Sequence, residues 1–542
     1  MIISDYDYQL NFIIRATSRL LSLQDVDIFS PSFGCFHLAY WRDKTSEFPD
    51  ARFQEASATL GILSLPDFDS FREEEILPSA DRLYQAFSAG LKCWSSLQYP
   101  EGCFDEWYKG ERGFAATEFT TIAFGLAYLL MGDSIAAEDR ALLKTTIVRS
   151  ANWLVSRDDE TKSNHEAAAA AAIAIAWKVS DDDRFKTAAE YKIINTLGRQ
   201  QSEGWFTEIG GMDLGYCSVL MDYVMLYIWV TKDHSPLPAM RKLFAYMLPL
   251  FHPDGTISGE AGLCLNSYVS RLGIGLFSEF DEGASVFVAY LLRSTPGEPG
   301  LLPTLSDDLR LCRWSYLPVV TSILKLKFHS HQKIYKLSDV FSEGWTWRKD
   351  SLIATFHKND THVYFLPAGG GLVRVFDGNK IISEIYSPYL QKNNKQSWVS
   401  NGYNSSRAVM PIVGGYVMES ALICPNFFYP SFFSRLILRF GCITQTGSRI
   451  LRRIIDSYRL KNRTAVNQSS APFIKNSGEF FLRRSVKIES NQLVIEDCIV
   501  SLKGHLKDMK VYTHITGAAN SNQKKIANCS DSQVIFRHTI DL

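Results

Sequence analysis

The sequence predicts an α+β multidomain chain. An N-terminal α/α toroid, an incomplete barrel of helix pairs, is expected over residues 1–335. A C-terminal antiparallel β-sandwich is expected over 336–542. Three observations carry this reading. The 542 residues exceed what one compact core holds. Apolar residues recur at i, i+3, i+4 and i+7 through the first two-thirds. From Lys336 onward the period changes to two, with Gly- and Asn-containing turns between short apolar runs.

The helical part is read element by element. Residues 81–97 place Leu83, Phe87, Leu91 and Trp94 on one helical face. The same spacing predicts helices over 115–130, 137–155, 166–179, 183–197, 216–230 and 240–251, then near 278–292 and 307–326. Breaker-rich links (MGDS, SDDD, KDHSPLP, HPDGT) separate them. Successive antiparallel pairs without a shared repeat motif point to a toroid or solenoid rather than a regular repeat array. In the second part SLIATFHK, HVYFLPA, GLVRVF, KIISEIY, FLRRSVKIE and QLVIEDCIV alternate, and AGGG, DGNK and ESNQ supply turns.

Composition narrows the function classes. Hydrophobic residues make 46% and charged residues 21%, which excludes wholesale disorder. Lys+Arg is 57 against Asp+Glu 58, so no basic excess exists for a phosphate backbone, and no nucleic-acid partner is expected. The start, MIISDYDYQLNFIIRATSRLL, is acidic and lacks a signal-peptide apolar region. No unbroken run reaches the roughly 18 apolar residues of a membrane span. The ten cysteines are scattered without a CxxC pair and read as buried thiols. A cytoplasmic setting is expected, without cofactor or metal. Aromatic residues at 13% are enough to line a sugar cleft, although a large core uses most of them.

Three clusters could carry chemistry. Ser163-Asn164-His165-Glu166 heads a helix; Ser163 and Glu166 fit a capping box, which would leave Asn164 and His165 in an anion-favouring first turn. Glu203 to Tyr216 forms a Gly- and aromatic-rich loop containing Trp205, Glu208 and Asp213, and it feeds a helix with Tyr216, Tyr223 and Tyr227. That stripe is either core packing or a phenol at a cleft mouth, able to move a proton if its environment suits. GCFDEWYKGERGFAATE interleaves Asp105, Glu106, Glu111 and Glu118 with Trp107 and Tyr108. Paired carboxylates there would suit glycoside hydrolysis, and loop acids would serve equally as structure. Arg42, beside Tyr40 and Trp41, could clamp a carboxylate or pair with Asp43. His357 and His362, five apart, are weak metal candidates and read better as turn histidines; Arg452, Arg453, Arg483 and Arg484 read as solvated or salt-bridged.

Together these residues resemble the heparinase II/III-like polysaccharide lyases over roughly residues 25–515. Asn164-His165 is similar to the family's Asn-His pair at a helix head, and Tyr216 falls where its catalytic Tyr lies. FHPDGTISGEAG (Phe251 to Gly262, containing Glu260) looks like its Gly-rich loop. The resemblance implies a toroid joined to a sandwich and β-elimination at a uronic acid. Asn164 and His165 would hold the C5 carboxylate, Tyr216 would exchange a proton, and a β-domain His, here His357, would complete the site. Arg42, Trp107, Tyr108, Glu111, Trp205 and Glu260 are the candidate substrate-binding side chains. The implied partner is an acidic polysaccharide, in surface-polysaccharide metabolism. The sequence departs from the family in two places. THVYFLPAGGGLVRVF stands where a His-x-His-x-Asp segment is usual, and Leu263, Cys264 and Leu265 follow the loop in place of Arg/Asn. A toroid glycoside hydrolase and a non-catalytic polysaccharide-binding or assembly protein are the alternatives.

Overall fold

The computed structural model describes residues 8–262, 264, 268–284, 287, 307–324, 342–392, 396–400, 404, 407–426, 431–463, 473–475, 479–503, 506, 509–516, 522–524 and 532–542. Leu263, Leu265, residues 285, 286 and 288–292 of the 278–292 stretch, and the 330–345 boundary up to residue 341 lie outside them.

Helices alternate between two environments. Glu55–Leu63, Phe114–Met131, Ser163–Ser180, Leu214–Thr231, Leu272–Phe277 and Tyr316–Ile323 pack side by side, and the last returns to the first. They form an inner ring. Ala80–Ser96, Ala137–Val155, Asp183–Leu197 and Leu237–Met247 lie outside it. The sequence explains the division. Outer helices are amphipathic; Ala80–Ser96 buries Leu83, Phe87, Leu91 and Trp94 and exposes its other face. Inner helices are apolar and small-residued all round. All ten residues from Ala167 to Ala176 are fully buried. Close approach is built in at Gly125, where an added Cβ would lie 2.5 Å from Ile175 Cγ2 on the neighbouring inner helix. Phe114–Met131 and Leu214–Thr231 have the length and hydropathy of membrane spans, but most of each is buried within the ring.

Helices start within about three residues of the expected positions, and Ala137–Val155 and Asp183–Leu197 match on both ends. Two expectations need correction. Tyr8–Leu23 and Glu55–Leu63 are helices that precede the first one expected. Glu55–Leu63 is buried on every side, so it offers no amphipathic period to detect. The capping box at Ser163 does not form. Ser163 is already helical, its Oγ donates to Thr207 O at 2.7 Å, and Glu166 is drawn instead to Lys192 Nζ (2.9 Å) and Asp159 N–H (2.9 Å).

The second part is a sandwich of two antiparallel sheets. Among the described residues one runs in the order Gly344–Arg348, Ile353–Lys358, Thr361–Leu366, Leu372–Asp377, Lys380–Ile385, Ile515–Thr516. The other runs Asn522–Lys524, Gln533–Asp541, Gln492–Ser501, Phe480–Glu489, Gly415–Ala421, Ala408–Ile412. Alternate residues from both sheets fill one core, including Val363, Phe365 and Val375 against Leu482, Val486 and Ile495. Arg484 crosses that core. Its guanidinium pairs with Asp497 (2.6 and 2.7 Å) and donates to the carbonyls of Gly371 (2.6 Å) and Tyr386 (3.0 Å) on the opposite sheet. The second part is not wholly β, however. Phe432–Gly441 and Gln445–Arg463 form a helical hairpin inserted between the paired strands Cys424–Asn426 and Phe473–Lys475.

The first sheet packs on the ring through apolar and polar contacts: Ile353, Leu366 and Leu372 join the ring's core, and His252 lies against Tyr364 and Phe376. Arg374 grips Glu260 with two hydrogen bonds (2.9 and 3.0 Å) and Ser258 Oγ at 2.8 Å. Tyr364 OH donates to Phe251 O at 2.8 Å. Glu203 accepts from the N–H groups of Asp350 (2.7 Å) and Ser351 (3.1 Å). Gly369 passes so close to Glu260 that a Cβ would meet its carbonyl at 2.1 Å.

Candidate functional site

The first backbone N–H groups of a helix need outside acceptors. Lys162, at the cap of Ser163–Ser180, offers no side-chain acceptor. The loop before Leu214–Thr231 supplies one: Glu208 Oε1 accepts from Asn164 N–H at 2.7 Å, and Lys162 and Glu208 face each other as an antiparallel bridge. Burial and the nearness of other carboxylates raise the Glu208 carboxyl to about 8, even though the Asn164 N–H opposes the rise. The Asn164 side chain is 1% exposed. It stands beside Glu208, where its side chain helps to lower that carboxyl's pKa through a hydrogen bond of imperfect alignment.

His165 follows in the same turn. Its Nδ1 lies 2.7 Å from Glu118 Oε1 on the adjoining inner helix, without the alignment of a hydrogen bond. Burial, and then the Lys162 charge, hold the imidazole neutral by pushing its pKa well below the usual value. Burial, and then Asp159, push Glu118 well above the carboxylate range, so it is protonated. Phe119 lies 5.4 Å from the His165 ring and 5.4 Å from Tyr223. Arg52 stacks over Phe119 at 4.3 Å while paired with Glu55 at 2.7 Å. The first turns of two inner helices thus meet at one mouth of the ring.

Tyr216 sits one turn into Leu214–Thr231. Asp213 caps that helix by accepting from Tyr216 N–H at 3.0 Å, and its other oxygen accepts from Cys264 N–H at 2.9 Å. Burial first, then Tyr268, Cys264, Asp213 and Glu208, keep the phenol protonated far above its usual range. Glu208 therefore links the two helix heads: it binds the Asn164 backbone and its charge acts on Tyr216. The three tyrosines do not share one environment. Tyr223 is buried against Phe119, and Tyr227 OH donates to Asp233 at the helix's far end, 3.0 Å away.

The remaining candidates divide. Trp107 is exposed at the same mouth, 5.5 Å from the guanidinium of Arg313, which pairs with Glu106 at 2.8 Å. Tyr108 beside it is half-buried. Glu111 is used by its own loop, accepting from the N–H groups of Glu106 (3.1 Å) and Trp107 (2.8 Å). Asp105 likewise accepts from Tyr99 OH (2.7 Å), Gly110 N–H (2.7 Å) and Arg112 N–H (2.8 Å). Arg42 forms an exposed pair with Asp43 at 2.8 Å. Trp205 is buried, and Glu260 serves the interdomain pair with Arg374. His357 lies on the first sheet, its Nδ1 2.7 Å from that of His362 and its ring beside Tyr364. Burial, then His362, lower it to about 3, so it is a neutral imidazole.

The inserted hairpin roofs a cleft of about 630 Å³ next to this mouth, with Phe114, Trp153 and Asp159 on the ring side and Arg449, Arg452 and Arg453 on the hairpin side. Arg452 is 4.0 Å from Asp159, and its charge reaches His165. Nothing near the ring helices in the chain announces this roof, because it returns to the ring from some 290 residues downstream. Glu118 and Glu208 were visible as acids within two separate clusters, but nothing local marked them as neighbours of His165 and Asn164.

No protein-family model matches the chain, and no curated protein matches it. Solved structures do. A chondroitin AC lyase of Streptomyces coelicolor A3, in complex with chondroitin sulphate, aligns over 99% of this chain and 77% of its own at 7% identity, TM-score 0.54. The two share a fold. A β-L-arabinofuranosidase of Geobacillus stearothermophilus T6 also matches, covering 99% of this chain and 96% of its own at 9% identity, with a TM-score of 0.36.

Proposed function

We propose that the chain is a carbohydrate-active enzyme, a polysaccharide lyase of heparinase II/III-like type that cleaves a uronic-acid-containing polymer by β-elimination. The observation that supports this reading is the buried Asn164 amide in the same helical turn as a neutral imidazole, with Glu208 beside it acting electrostatically on the Tyr216 phenol as well. A sugar carboxylate would accept from the Asn164 amide, which withdraws charge from C5. Neutral His165 is suited to take the C5 proton. The electron pair forms the C4=C5 double bond as the C4–O bond breaks, and Tyr216 donates its proton to the departing oxygen. Burial keeps the phenol protonated, so the proton is present to be given to the departing oxygen. Trp107, exposed at the mouth, offers a stacking face to a neighbouring sugar.

A panel of uronate polymers, followed by ultraviolet absorbance of the unsaturated uronate product, tests this. Rising absorbance supports the lyase. New reducing ends without that rise would assign the cleavage to a hydrolase in which protonated Glu118 serves as the acid.

A further inference from the structure

The helical hairpin carries a feature the cleft does not use. Seven of the nineteen large apolar side chains exposed among the described residues lie between Phe432 and Ile454, and all seven are more than half exposed. Phe433, Ile437 and Phe440 follow one another at i, i+4 and i+7 along the first helix; Ile450 and Ile454 repeat the spacing on the second. The 33 residues from Ser431 to Arg463 hold eight Lys/Arg against one acid, in a chain of net charge −1. Arg435 is exposed alongside the first apolar stripe, and Arg449 and Arg453, exposed near the second, stand at the rim of the cleft.

The hairpin is held from its other side. Arg439 pairs with Glu47 at 2.7 Å, Ser448 Oγ donates to Glu111 O at 2.8 Å, and Cys442 O packs where Gly110 leaves no room for a Cβ (2.5 Å). The apolar stripes are therefore presented outward by a tethered element.

We infer that this hairpin seats the protein on an anionic lipid surface, its phenylalanines and isoleucines entering the headgroup boundary and its arginines meeting lipid phosphates. Exposed aromatic and branched residues flanked by arginine suit that interface. A second copy on the same face would set arginine against arginine, which opposes self-association. The inference stands apart from the proposed lyase chemistry.

Co-sedimentation of the full chain with phosphatidylglycerol/phosphatidylcholine vesicles and with phosphatidylcholine vesicles tests it. Binding is expected on the anionic vesicles, weaker on the neutral ones, and reduced by salt. Phe433→Ser/Ile437→Ser/Phe440→Ser should abolish it without moving the melting temperature. Arg435→Glu should weaken it about fivefold or more on anionic vesicles only. Absence of binding to anionic vesicles overturns the inference. So does a dimer in light scattering that the triple variant dissolves, or binding that the triple variant leaves intact.

Discussion

His165 Nδ1 stands 2.7 Å from Glu118 Oε1, an imidazole and a carboxyl on neighbouring inner helices, both buried and both driven neutral by that burial. A neutral pair at the head of a helix is poised to exchange protons with a ligand, and it does not add an ion pair to the fold. Glu118→Gln keeps the shape and removes the acidic proton. It should lower turnover about 10²-fold or more while shifting the melting temperature little. Unchanged turnover would remove Glu118 from the chemistry.

Tyr216→Phe deletes only the phenolic oxygen. Turnover should fall on the order of 10²–10⁴-fold, with substrate affinity nearly unchanged, as read from kcat and KM separately. A change confined to KM would make Tyr216 a contact and not a proton donor.

Asn164→Ala separates function from stability in the opposite direction from most buried substitutions. The amide's hydrogen bond to Glu208 is poorly aligned, so its removal should cost little stability, about 1 kcal/mol or less in denaturant unfolding. Turnover should nevertheless collapse. A stability loss with normal turnover would make the residue structural.

Glu208 sets a pH dependence. Its folded pKa of about 8 lies above the ordinary 4.5, so the folded state holds a proton that the unfolded chain releases. This contribution is complete below pH ~4.5 and is lost as pH rises toward ~8, by up to about 1.4 kcal/mol per pH unit. Asp222 and Glu55, each raised to about 7 by burial, add to the same slope. Glu208→Gln should flatten it, gaining stability relative to wild type at pH 8 and little at pH 4.5. Parallel slopes for the two proteins in pH-dependent urea unfolding would contradict this.

Arg484 and Asp497 form a fully buried pair that bridges the sheets. Asp497→Asn leaves the guanidinium uncompensated and should cost about 3–5 kcal/mol, whereas replacing both partners with apolar residues should cost much less. Thermal unfolding of the single and double variants decides between them.

The ring and the sandwich were legible because period 3.6 and period 2 leave local signatures, as along Leu83, Phe87, Leu91 and Trp94. Glu55–Leu63 escaped because burial on all sides removes the period. The hairpin escaped because two helices interrupt a stretch otherwise read as strands, although Phe433, Ile437 and Phe440 carried helical spacing. Asn164, His165 and Tyr216 were singled out through a resemblance. Their link through Glu208 was not, since it depends on a loop folding back 44 residues to cap a helix. Arg484 could be read only as solvated or paired, because sequence alone does not show that it points into a core, beside Asp497 on the adjacent strand and facing the Gly371 and Tyr386 carbonyls across it.

The central claim is that the ring mouth performs β-elimination with Asn164, His165 and Tyr216. Absorbance of the unsaturated uronate, followed over time on a panel of uronate polymers with wild type, Asn164→Ala and Tyr216→Phe, tests it most directly. The account predicts a rise with wild type on at least one polymer, lost in both folded variants. No rise on any polymer, or the same rise in all three proteins, would contradict it.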